Sequence, residues 1–155
     1  MLLNVKITDI QHPSKYKANA MNIRNFALFL FLLPLYAYAA TPYTNIDNNQ
    51  LKTLQAQGIP VYDIRRTEEW VQTGVVEGSR RMTFVDDKGR VMPDFVARFT
   101  QAVDKNDPVI LICRTGSRTD VLSRALVEQL GYTKIYNVKD GITRWISEGQ
   151  PVVRN

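Results

Sequence analysis

VILICRTGSRTDVLSRALVEQLG, residues 109–131, is the stretch that decides the fold. Val109-Ile110-Leu111-Ile112 is a run of β-prone apolar residues, the pattern of a central parallel strand covered on both faces. Cys113 to Arg118 is polar and contains Gly116, so it reads as a loop. A helix is expected over Thr119–Leu130, with Val121, Leu122, Ala125, Leu126 and Leu130 as its buried stripe and Gly131 as its stop. In strand–loop–helix units of this kind, ligands sit at the carboxyl ends of the strands. The only cysteine of the chain stands at that position, between two arginines.

The same alternation continues outward. Asp47-Asn48 can cap a helix carrying Leu51 and Leu54, with Gly58 just past its end. Val61–Ile64 reads as a buried strand, and a short helix follows with Thr67 as its expected N-cap. Gly74 and Gly78 mark turns around a second strand near Met82–Val85, and Asp86-Asp87-Lys88-Gly89 is a turn by composition. Phe95, Val96, Phe99 and Val103 are expected to share a helix face that ends before Asp107-Pro108. Ile135–Val138 reads as a strand, and Ile142–Glu148 as a helix carrying Trp145. Strand and helix alternate throughout. The fold class is therefore α/β: one domain with a mainly parallel central sheet flanked by helices on both faces.

Of the 155 residues, 45% are hydrophobic and 23% charged, enough apolar material for one core. The net charge of +5 is unevenly placed. Four of the 20 basic and one of the 15 acidic residues lie in 1–39, which leaves 16 against 14 in residues 40–155. No nucleic-acid partner is indicated by so even a balance. Residues 1–39 read as a leader. Arg24 gives a positive start, Phe26–Tyr36 is an apolar run of 11 residues, and Ala37-Tyr38-Ala39 has the small-x-small form of a cleavage site before Ala40. The alternative is a retained anchor. A spanning helix needs roughly 17–25 apolar residues, and Phe26–Ala40 has 15. Export to the periplasm is expected, with a signal peptide from Met21 to Ala39, translation starting at Met21, residues 40–155 as the domain, and no stable membrane association after cleavage.

Cleavage there removes His12, the only histidine. The remaining chain has no material for a Ser-His-Asp or Cys-His device, or for a zinc site. One cysteine cannot form an intramolecular disulfide. The loop itself offers another chemistry. Successive backbone N–H groups in a tight turn form an anion nest, and the following helix start adds partial positive charge. Arg114 and Arg118 add two cations. All three effects favour the thiolate of Cys113 over its thiol, giving a nucleophile that needs no histidine base.

Cys113-Arg114-Thr115-Gly116-Ser117-Arg118 resembles the six-residue active loop of the rhodanese, or thiosulfate sulfurtransferase, domain. "VYDIRRTEEW", Val61–Trp70, resembles the family's Val-Asp-Val-Arg-x-x-x-Glu-Phe segment through Asp63, Arg65 and Glu69. "KDGITRW", Lys139–Trp145, resembles its closing Gly-Gly-x-x-x-Trp element. The resemblance covers about residues 45–152. One departure is plain: where many relatives have Gly-His-Ile-Pro-Gly-Ala, this chain has Gly74-Val75-Val76-Glu77-Gly78-Ser79. The resemblance implies sulfur transfer through a Cys113 persulfide, with Arg114, Thr115, Gly116, Ser117 and Arg118 as the cradle. It implies a small anionic donor such as thiosulfate, a cyanide or thiol acceptor (a thiol-carrying protein partner included), no metal and no separate cofactor. Asp63 is expected to order backbone donors near the loop, and Arg65 to pair locally with Glu69.

Two rival readings rest on the same residues. A Cys-dependent phosphatase loop has five residues between Cys and Arg, and four stand between Cys113 and Arg118 here. Such an enzyme also needs a general acid, for which Asp63 and Asp120 are the candidates. A non-enzymatic binding or sulfide-sensing module would use the fold without the thiol.

Overall fold

The computed structural model describes residues 41–154. The leader, its cleavage site and the Met21 start lie outside the described residues. Five strands form one sheet: β1 (Thr44–Ile46), β2 (Val61–Asp63), β3 (Arg80–Arg81), β4 (Val109–Ile112) and β5 (Ile135–Val138). Their order is β1-β5-β4-β2-β3, and every pairing is parallel. Five helices accompany them: α1 (Asn48–Ala56), α2 (Thr67–Thr73), α3 (Phe95–Ala102), α4 (Ser117–Glu128) and α5 (Gly141–Ser147). None of these is long and apolar enough to cross a membrane.

The apolar run of β4 is explained by its two buried faces. Val109 and Leu111 point into one core with α3, α4 and the aromatic rings of Phe84, Phe95, Phe99 and Tyr132. Ile110 and Ile112 point into the other, with Leu51 of α1 and Ile142 and Trp145 of α5. Alternation along a strand sends successive side chains to opposite faces. It therefore sends Cys113, one residue past the strand, to the α3/α4 side, where it joins that core.

Several expectations shift. Val96 is 46% and Val121 62% exposed, so neither belongs to a buried stripe. On α4 the buried face is Thr119, Leu122, Ser123 and Leu126. These fall at i, i+3, i+4 and i+7, and Val121 is turned about 100° away from Leu122. The polar Thr119 takes an inward place because its hydroxyl bonds back to Gly116 O at 2.9 Å. On α3, Phe95 and Phe99 define the face and Val96 lies beside it. The N-cap of α2 is Arg66, not Thr67, and its backbone N–H is taken by Glu69 Oε2 at 3.1 Å. Regular pairing of β3 falls at Arg80–Arg81, ahead of Met82–Val85. Met82 N–H and Phe84 N–H nonetheless continue along the edge to Asp63 O and Ile64 O. Helix α4 begins at Ser117, two residues before Thr119. The short edge strand β1 had no signal in the apolar pattern, since Thr44 and Asn45 are polar and exposed. Asp47 does cap α1, in a reciprocal box with Gln50.

Candidate active site

The loop is fixed where β4, β5 and α5 meet. Ile142 N–H donates to Cys113 O at 2.9 Å and Thr143 N–H to Arg114 O at 3.0 Å, so the start of α5 grips the start of the loop. Two glycines allow the contact. Gly116 has φ +88°, and a Cβ there would lie 1.8 Å from Lys139 O. Gly141 has φ +61°, and a Cβ there would lie 2.5 Å from Arg114 O and 2.6 Å from Cys113 O. Any side chain at either position forces the loop and the β5–α5 turn apart.

Cys113 is fully buried at 0% exposure. Its Sγ lies 3.5 Å from Thr119 Oγ1. Among the described residues no acceptor is found for the N–H groups of Arg114, Thr115 or Gly116. Ser117 and Arg118 open α4, where first-turn N–H groups have no partner within the helix. Gly116 is itself buried, so its N–H is withheld from bulk water as well. Five consecutive N–H groups, Arg114 to Arg118, thus follow the buried sulfur in the chain without a backbone acceptor among the described residues. Thr115 and Ser117 share a hydroxyl contact of 3.3 Å at the surface of the loop.

The two loop arginines differ. Arg118 makes a two-pronged ion pair with Glu69 of α2, at 2.7 and 2.6 Å. Its own proton is held more tightly, chiefly through the hydrogen bond to Glu69 against a counteracting burial. Burial alone would raise the Glu69 carboxyl. The bonds from Arg118 and the Arg66 N–H, with the charges of Arg118 and Arg65, outweigh it and bring the carboxyl down to about 2. Arg114 is exposed and forms no ion pair among the described residues. It borders a cavity of about 230 Å³ between α2 and α5, with Gln72 and Thr143 across from it.

Arg65 is placed differently from the expected pair with Glu69. It is 1% exposed and bonds to Asp63, itself at 0%, through Nε at 2.9 and 3.0 Å and Nη2 at 2.7 Å. Its remaining donors go to Thr73 Oγ1 and Gly74 O, each at 2.7 Å. Only the backbone carbonyl of Glu69 is within its reach, at 3.4 Å. The carboxylate of Glu69 belongs to Arg118 instead, because the helix start turns it toward the loop. Asp63 does order a backbone donor, the N–H of Arg65 at 3.1 Å. That donor lies in the β2–α2 connection and not in the Cys113 loop. Asp63 pairs across the sheet with Ile112, so this buried cluster lies against the strand end that presents Cys113.

Neither carboxylate named for a phosphatase acid is unengaged. Asp63 is locked to Arg65, and Asp120 receives the hydroxyl of Tyr43. Burial first, then the Asp120 carboxylate, pushes that phenol up to about 12. Sequence reasoning missed Thr119 at the sulfur, Glu69 as the partner of Arg118, and the Gly141 contact. Glu69 and Gly141 were visible in the motifs, but Thr119 gave no signal.

With this geometry, the chain belongs to the rhodanese-like domain family, whose match covers residues 47–148. A 55-residue stretch is 40% identical to the thiosulfate sulfurtransferase GlpE of Actinobacillus pleuropneumoniae serotype 3. It covers 36% of this chain and 50% of that protein, so the chain spans half the length of the curated relatives it matches there. GlpE of Pseudomonas aeruginosa is 26% identical over 105 residues, 68% of this chain and 86% of its own length. Among solved structures, the polysulfide-sulfur transferase homodimer of Wolinella succinogenes aligns with a TM-score of 0.58 at 23% identity, over 74% of this chain and 80% of that one. A rhodanese-related protein of Thermoplasma volcanium aligns with a TM-score of 0.56, also at 23%, over 73% of this chain and all of that one. At these identities the structures establish the fold.

Proposed function

We propose that the protein is a sulfurtransferase that carries sulfane sulfur on Cys113. The observation that supports it is the buried thiol at the end of β4, within a loop whose five N–H groups have no backbone acceptor among the described residues. A thiolate attacks the outer sulfur of thiosulfate, forming an S–S bond as the S–S bond of the donor breaks and sulfite leaves with its electron pair. An acceptor thiolate or cyanide then attacks the outer sulfur of the persulfide and regenerates the Cys113 thiolate. The N–H donors stabilise the negative sulfur at each stage. No separate cofactor is needed, because the intermediate is covalent. The curated relatives carry the same activity in their names. On the reading of Met21–Ala39 as a signal peptide, the reaction runs in the periplasm.

Intact mass tests this. The reduced protein is treated with thiosulfate, freed of excess and weighed beside Cys113→Ser. A gain of one sulfur atom, absent from the variant and removed by cyanide or a dithiol, is the expected result. The full enclosure of Cys113 favours a second reading, a binding module that never exposes its thiol. No gain with thiosulfate or with polysulfide would decide for that reading.

A further inference from the structure

We propose that Thr119 is a positioning residue whose hydroxyl hydrogen changes partner with the charge of Cys113. This deepens the sulfur-transfer reading, because it concerns how the same thiol becomes a nucleophile. Thr119 Oγ1 is 3.5 Å from Cys113 Sγ and 2.9 Å from Gly116 O, and Thr119 and Cys113 are both at 0% exposure. A hydroxyl has one hydrogen and two lone pairs. With Cys113 as a thiol, the Thr119 O–H donates to Gly116 O and its lone pairs face the S–H. A thiolate has no hydrogen to give and needs donors.

The hydroxyl is able to turn because Gly116 O has a second donor, the Asp120 N–H at 2.9 Å. When Thr119 rotates its hydrogen to the sulfur, that carbonyl stays hydrogen-bonded and no buried polar group is orphaned. The proton lost by Cys113 goes to solvent. Thr119 transfers none and only reorients the one it has. The inward turn of Thr119 on α4 thus places a side-chain donor on the sulfur from the helix side.

Alkylation of the full-length protein by iodoacetamide, followed across pH, tests this. Only the thiolate reacts, and no sulfur donor is required. Stabilisation of the charged form by Thr119 means that its loss moves the rate profile toward higher pH. Thr119→Val is expected to shift the midpoint up by about one pH unit, which is about tenfold in rate on the acid side. Thr119→Ser is expected to keep the wild-type midpoint. A purely structural role would change the plateau rate through loop opening and leave the midpoint in place. A Val profile that overlays wild type, or a Ser profile displaced as far as Val, overturns the proposal. If Thr119→Val does not fold, Thr119→Ala against Thr119→Ser gives the same decision. A shifted midpoint together with failed sulfur loading would keep the Thr119 assignment and discard sulfur transfer.

Discussion

Two arginine–carboxylate pairs flank the Cys113 loop, and they are built for different ends. Arg65–Asp63 is sealed between β2 and α2, with every side-chain donor of the arginine taken. Arg118–Glu69 is only partly buried, with side chains at 22% and 11%, and one of its members belongs to the loop itself. The first pair holds chain to chain beneath the site. The second ties the loop to α2 while leaving a cation beside the sulfur. The degree of burial separates them: a sealed pair is costly to break, and a pair that water partly reaches costs less to alter.

Breaking the sealed pair should have the largest effect. Asp63→Ala leaves Arg65 charged and buried without its counter-ion, and the expected loss is about 3–5 kcal/mol of stability, read by urea unfolding. A loss under about 1 kcal/mol would mean that water reaches Arg65 and that the two pairs are alike. Glu69→Gln comes next. It removes the charge from the bonds to Arg118 and should cost about 1.5–3 kcal/mol at neutral pH, with slower sulfur loading.

The pH dependence sharpens the same contrast. The Glu69 carboxyl is depressed in the folded state, from 4.5 to about 2. Its contribution is therefore complete above about 4.5 and is lost as the pH falls toward 2. Urea midpoints of wild type should decline through that window more steeply than those of Glu69→Gln. Parallel declines would remove Glu69 as the acid-labile link. The smallest stability effect belongs to the third arginine. Arg114→Ala, at an exposed and unpaired site, should change stability by less than about 0.5 kcal/mol. It should still lower kcat/KM for an anionic donor about tenfold at low salt, an effect that added salt reduces.

Much of this was legible in the chain. The run Val109–Ile112 gave the central strand, and Gly116 gave a position tolerant of positive φ. What was not legible depended on tertiary neighbours. Arg65 and Glu69 are four apart on paper, which suggested a local pair. In the fold Glu69 reaches Arg118, 49 residues away. No local rule encodes that choice, because it is set by the angle at which α2 leaves β2. Val121 looked like a core residue and Thr119 like the first residue of the helix, with no place in its buried stripe. In the fold the inward face runs through Thr119, Leu122, Ser123 and Leu126, and Val121 is exposed.

The glycine contacts at the loop have a consequence in time. Lys139, Gly141, Ile142 and Thr143, which grip the Cys113 loop, all follow it in the chain. The residues that fix the loop are therefore synthesised after it. Before they dock, the loop lacks the bonds from Ile142 N–H to Cys113 O and from Thr143 N–H to Arg114 O. The burial of Cys113 and the fixed shape of its loop thus depend on a segment made after them.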